Sequence, residues 1–200
     1  MENSTGITTP YKDIEQHTRI QLQPHHLNSD LDDNIKTILQ KKVEKKCNKY
    51  GYIDKVYNVI KYSNGVLQPE NLSGNITLEI SYNCRFCLPV ENSTIICQVK
   101  GIHQELIIAK NGPITVFIRR NNINQNNWNI TNGYINTKNN KELENDDFIK
   151  VNILKKRINQ NDLQIKTIGH LEDYPTDEER EKYYGQTTED ENSKQDKYII

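Results

Sequence analysis

Residues 94–118 read TIICQVKGIHQELIIAKNGPITVFI, and their pattern decides the fold. Three β-branched runs, Thr94–Val99, Gln104–Ala109 and Ile114–Ile118, are separated by Gly101 and by the turn pair Asn111-Gly112. Runs of that length and punctuation are short strands rather than helices. Two more follow, Phe148–Ile158 and Leu163–Ile168, joined by a turn near Asn159–Asp162. Five short strands in about 80 residues predict an OB-type barrel. The polar stretch 121–147 falls between the third and fourth strands as an insertion.

Upstream of the barrel one amphipathic helix stands out. Ser29 is placed as its N-cap, Asp30, Asp32 and Asp33 lie in the first turn, and Lys41, Lys42, Lys45 and Lys46 crowd the last. That charge order suits the helix dipole. Leu31, Ile35, Ile38, Leu39, Val43 and Cys47 form its apolar stripe, and Asn48 and Gly51 end it. Tyr52–Tyr62 and the alternating Ile76, Leu78, Ile80 and Tyr82 then read as strands, with Asn64-Gly65 as a turn. The expected fold class is therefore α+β. An N-terminal strand, helix and antiparallel sheet (1–88) precede the five-stranded OB-type barrel (89–172), and a disordered acidic tail (173–200) follows. Thr176 and Glu179, just after Pro175, are spaced as a capping box, so one short helix is expected inside the tail.

Composition narrows the possibilities. Only 34% of the 200 residues are hydrophobic, which fits small β-rich units better than one deep core. Asn and Ile each occur 26 times and Ala once, a usage typical of an AT-rich genome. No run of about 18 apolar residues is present, which excludes a transmembrane helix. Met1–Pro10 is polar and lacks a signal-peptide core, so the expectation is a reducing intracellular setting with four free thiols. The net charge of −1 is the sum of unequal parts. Residues 1–80 carry ten basic and ten acidic side chains, 81–172 twelve and eight, and 173–200 four and nine. The barrel is thus mildly basic and the tail acidic.

Motifs for catalysis are missing. No nucleotide-binding glycine pattern, nucleophile signature or carboxylate cluster on one face occurs, so no enzyme activity, metal or cofactor is expected. Cys84-Arg85-Phe86-Cys87 is a C-x-x-C without a second pair, on an alternating strand that points residues three apart to opposite faces. What remains is nucleic-acid binding on the barrel. Lys100, Lys110, Arg119 and Arg120 lie at strand ends or loops, Phe117 is close by, and Lys155, Lys156 and Arg157 sit on the fourth strand. Barrels of this type bind single strands by combining a positive groove with an aromatic stacking surface.

Several segments resemble the stalk subunit of DNA-directed RNA polymerase, the family of the seventh subunit of RNA polymerase II and its archaeal E-type counterpart. They are Lys49-Tyr50-Gly51-Tyr52-Ile53, Gly65-Val66-Leu67 with Pro69, Ile76–Phe86 with Pro89, Gly101, Gly112–Ile118, and Ile168–Tyr174. Departures from the family pattern are Glu91-Asn92-Ser93 where it commonly opens the first barrel strand with Gly, Asn121–Asn124 in place of a Met-Pro, and the tail beyond Tyr174. The resemblance implies a non-catalytic subunit that docks on the polymerase core and binds exiting nascent RNA. Docking is expected through a tip made of Pro24, His25, His26, Leu27, Gly65, Val66, Leu67 and Pro69. RNA contacts are expected from Lys100, Lys110, Phe117, Arg119 and Arg120. It also implies a second stalk subunit of the subunit 4 or archaeal F type, and no membrane partner. The composition suits a large DNA virus with its own polymerase (virion and viral factory) or a protist (nucleus). The alternative is a free-standing OB-fold RNA-binding protein of translation or RNA decay.

Overall fold

A computed structural model describes residues 6–67, 73–130 and 133–184. The N-terminal unit opens with β1 (Tyr11–Leu22), a 3₁₀ turn at Pro24–His26 and α1 (Leu31–Val43). It continues with β2 (Lys46–Cys47), β3 (Tyr52–Tyr62), β4 (Val66–Leu67) and β5 (Ile76–Cys87). All neighbouring strands are antiparallel in the order β1-β5-β3-β2, with β4 beside the start of β5. The fold class read from the sequence holds.

Helix α1 buries Ile35 and Leu39 against one face of this sheet, where Ile20, Leu22, Ile53, Val56, Leu78, Ile80, Tyr82, Cys84 and Phe86 complete the core. Its ends differ from the sequence reading. The N-cap is Asp30 rather than Ser29, because Asn28 Oδ1 accepts the Asp30 N–H (3.0 Å) and moves the first helical residue to Leu31. The helix stops at Val43 rather than near Asn48. Glu44 is extended, and Lys45 is left-handed (φ 58) with its N–H donated to the Ile53 carbonyl at 2.8 Å. Cys47 consequently leaves the helical stripe, pairs with Tyr52 in β2, and packs into the barrel core instead.

The barrel comprises β6 (Thr94–Ile102), β7 (Leu106–Asn111), β8 (Ile114–Arg119), β11 (Phe148–Arg157) and β12 (Ile165–Asp173). It closes in the order β6-β7-β8-β12-β11, with β8 and β12 parallel and every other pair antiparallel. Alternation sends Ile95, Cys97, Val99, Ile107, Ala109, Ile114, Val116, Ile118, Ile149, Val151 and Ile153 inward, all wholly buried. The insertion forms the hairpin β9 (Trp128–Asn129) and β10 (Ile135–Asn136) and closes one end of the barrel. Trp128 donates its Nε1–H to the Glu172 carbonyl (3.2 Å), and the Tyr134 hydroxyl donates toward the carbonyls of His103 and Gln104 (3.0 and 2.8 Å). Both rings belong to the barrel core.

The two units share β5. Cys84 faces the sheet–helix core and Cys87 the barrel core, so the C-x-x-C sulfurs point into different interiors. Tyr11 reaches across the same junction to the β7–β8 turn. A Cβ on Gly112 would lie 2.1 Å from the Tyr11 hydroxyl, and the φ of 53° there already favours glycine.

Order continues past β12. Residues 177–184, the last that the structure describes, are helical and belong to a second helix, α2, which opens with the expected capping box. Thr176 N–H donates to Glu179 Oε2 (2.8 Å) and Glu179 N–H to Thr176 Oγ1 (3.2 Å). The tail over 173–184 is therefore not solvated chain, since Tyr183 is buried beside the barrel, an anchor that charge counting hides. Residues 185–200, with the rest of the acidic run, lie outside the described residues.

Candidate functional site

Two surfaces collect the residues singled out from sequence. The first is the free end of the N-terminal sheet. Ile76 on β5 pairs with Leu22 on one side and Leu67 on the other, so the segments following β1 and preceding β5 emerge together. Leu22 and Leu67 are thereby two strand spacings apart, about 10 Å. Pro24–His26 turn there, with Gln23 N–H donated to His26 Nδ1 at 3.2 Å and Leu27 N–H to the Pro24 carbonyl at 3.2 Å. Leu27, Val66 and Leu67 are 44%, 60% and 56% exposed. These three apolar side chains therefore open to solvent at one end of the sheet. Gly65 adjoins this end, whereas Pro69 lies outside the described residues.

The second surface is the outer face of the barrel over β7, β8, β12 and β11. The strand registers set two rows across it. Ile108, Phe117, Ile168 and Lys155 are successive partners in one row. Lys110, Thr115, Lys166 and Arg157 are partners in the next, two residues along each strand or about 7 Å away. Arg119 stands opposite Leu106 on the other side of the apolar row. An apolar, partly aromatic strip therefore crosses β7, β8 and β12, ends at Lys155 on β11, and is flanked by cations. Phe117 lies on the outward side, while Val116 and Ile118 fill the interior.

The five barrel residues proposed from sequence do not behave alike. Lys110, Phe117 and Arg119 share this face, and neither cation has an acidic partner among the described residues. Lys100 occupies the β6 bulge and is held by Asp146 at 2.6 Å. Arg120 turns into the 3₁₀ segment Arg120–Asn122, where Nη2 donates to the Ile130 carbonyl (2.8 Å) and Nη1 lies 3.7 Å from Glu105. It pins the insertion. On β11, Lys156 donates to the Pro89 carbonyl (3.0 Å), leaving Lys155 and Arg157 on the face. Lys166 was missed. Only the parallel pairing of β8 with β12 sets it beside Thr115, and no local spacing signals that.

Electrostatics at the sulfurs are those of packed thiols. Burial pushes Cys47 up to about 11 and Cys84 to about 12, with Asp162 and Asp13 adding to the effect. Cys87 and Cys97 are raised further, again chiefly by burial.

A helix-backed sheet with an apolar end, joined to an OB-type barrel whose core it enters through the end of β5, is the architecture that the sequence resemblance to RNA polymerase stalk subunits implies. Residues 18–71 match the family model described as the SHS2 domain found in the N terminus of Rpb7p/Rpc25p/MJ0397. Across 166 residues the chain is 36% identical to a protein of Acanthamoeba polyphaga mimivirus, provisionally named DNA-directed RNA polymerase subunit L376. That alignment covers 82% of this chain and 83% of the relative. The chain belongs to the Rpb7-like family of RNA polymerase stalk subunits.

Proposed function

We propose that this protein is a non-catalytic stalk subunit of a multisubunit DNA-directed RNA polymerase, docking by the sheet end and holding exiting RNA on the barrel face. Family membership supports assembly with a polymerase core. The exposed Leu27, Val66 and Leu67 supply an apolar docking end. One observation carries the RNA reading, namely the apolar row through Phe117 set beside the row of Lys110, Lys166 and Arg157. Phosphates on the cations and a base against Phe117 require no sequence readout, so binding is sequence-tolerant and salt-sensitive.

A second stalk subunit would cover the junction of the two units. Tyr50 and Leu163 are 57% and 66% exposed there, brought near each other because the Cys47 N–H donates to the Asp162 carbonyl at 2.8 Å. The test is co-purification of a tagged chain from cells expressing the polymerase. The parent is expected to bring down core subunits, and a Leu27→Asp/Val66→Asp/Leu67→Asp variant to lose them while retaining RNA binding. A parent that never accompanies polymerase subunits would favour a free-standing RNA-binding protein.

A further inference from the structure

We propose that helix α2 masks a second RNA-contacting patch on the barrel, formed by Phe148 and Lys150 on β11; this rests on the reading of the barrel as an RNA-binding unit. Both side chains lie on the outer side of β11, whose alternate residues Ile149, Val151 and Ile153 fill the interior. They are occupied by the chain's own acidic segment. Glu179 sets both carboxylate oxygens on the Lys150 ammonium, at 3.3 and 3.1 Å, where a phosphate would bind. Tyr184 meets the Phe148 ring edge-on at 5.6 Å between centroids, and the Arg180 guanidinium lies 5.7 Å from the same centroid. These contacts replace what a nucleotide would offer, an anion on the amine and a flat group on the ring.

Two further observations give the patch a purpose. It lies in line with the open part of the face, because β11 carries Phe148 and Lys150 at one end and Lys155 and Arg157 at the other. Lys150 and Arg157 are seven residue steps apart on the strand, about 23 Å, so an uncovered β11 would extend the RNA track by several nucleotides. The cover also has two states. The contacts that hold its described turns on the barrel come from Glu179, Arg180, Tyr183 and Tyr184, so losing them releases the cover. Tyr183 is the anchor, buried and accepting from Asn111 Nδ2 at 2.6 Å.

The full chain, a Glu179→Gln/Tyr183→Ala variant and a Glu179→Gln variant would be titrated against a labelled single-stranded RNA of about 20 nucleotides in low salt. Hydrogen exchange over 177–184 reports release, and exchange in the barrel strands reports folding. Release is expected to tighten binding at least about 5-fold, the weaker end of one added stacking contact. Adding Phe148→Ala and Lys150→Gln should return affinity to the parental value. Glu178→Gln removes the same charge from the exposed side of α2 and should leave affinity unchanged. If the double variant disrupts the barrel, Glu179→Gln alone decides, with a smaller gain expected in the same direction. A released helix without tighter binding, a gain that survives loss of Phe148 and Lys150, or an equal gain from Glu178→Gln overturns the proposal. Parental binding that is abolished by Lys110→Glu/Arg119→Glu, combined with no gain on release, would overturn the mask alone. A chain that binds no RNA in any form would overturn the RNA reading, and the mask with it.

Discussion

Arg119 and Arg120 are adjacent in sequence but have different work, and exchanging each for glutamine separates them. Lys110, Arg119, Lys155, Arg157 and Lys166 are the cations available on the barrel face. If each meets one phosphate, log K falls against log salt with a slope of about −0.7 per contact, or about −3.5 together. Raising salt from about 50 to about 200 mM would then weaken parental binding by roughly 100-fold. Arg119→Gln removes one contact and flattens the slope to about −2.8, a loss of only roughly 50-fold over the same range. Arg120→Gln should leave the slope unchanged. It surrenders the hydrogen bond to the Ile130 carbonyl at 2.8 Å and a 3.7 Å ion pair with Glu105, whose side chain is 80% exposed. The ion pair contributes little at that exposure. A charge-assisted bond is worth about 1.5–3 kcal/mol, which partial exposure of the guanidinium reduces to about 1 kcal/mol. The melting temperature should fall by about 2–4 °C. Anisotropy titrations across a salt series, with thermal melts on the same samples, measure both quantities. If Arg120→Gln flattens the salt slope as much as Arg119→Gln and leaves the melt unmoved, the division of labour is refuted.

Other outcomes follow from the packing. Trp128→Ala should destabilise the chain by about 3–5 kcal/mol and speed hydrogen exchange across the insertion first, because that ring is 1% exposed and joins the hairpin to the barrel core. Burial opposes ionisation of Asp173, Asp147 and Glu179, but Lys138, Lys141 and backbone N–H groups outweigh it for the aspartates. The Thr176 N–H and Lys150 do the same for Glu179, and all three carboxyls sit below their usual values. Stability from these groups is therefore fully present above about pH 4.5 and is lost as pH falls through the lowered folded-state values; urea midpoints between about pH 6 and 2 should show it, and neutralising Lys138 should lessen the drop. The four thiols should resist iodoacetamide at pH 8 in the native chain and react fully in denaturant, which mass spectrometry reads directly.

How far the sequence was legible depends on how local the cause was. The strand Tyr52–Tyr62 has the bounds that its β-branched and aromatic pattern predicts, and the Thr176–Glu179 box forms because both partners lie within one turn. Strand ends were less legible. β7 runs Leu106–Asn111 and β12 Ile165–Asp173, both later than read, since barrel closure rather than composition sets where pairing begins. β1 was hard to place because it is an edge strand with a wet side, and few apolar residues alternate along it. The candidate RNA face was half legible. Lys110, Phe117 and Arg119 follow from alternation along β7 and β8, whereas Lys166 depends on a parallel pairing between distant segments. Arg120 and Lys100 look free in sequence, but Ile130, Glu105 and Asp146 hold them in the fold.

The sharing of β5 between two interiors bears on modularity. Cys47, Tyr52 and Cys87 all precede the first barrel strand, yet all three sit in the barrel's core. A fragment starting at residue 89 would carry a barrel with three holes in its packing, and a chimera joined there would graft one lineage's plug into another's socket. The unit that evolution or an engineer can exchange is thus the whole chain through α2. The exposed sheet end and the barrel therefore belong to one folding unit, tied by the side chains of Cys47, Tyr52 and Cys87 that the barrel interior takes from its neighbour.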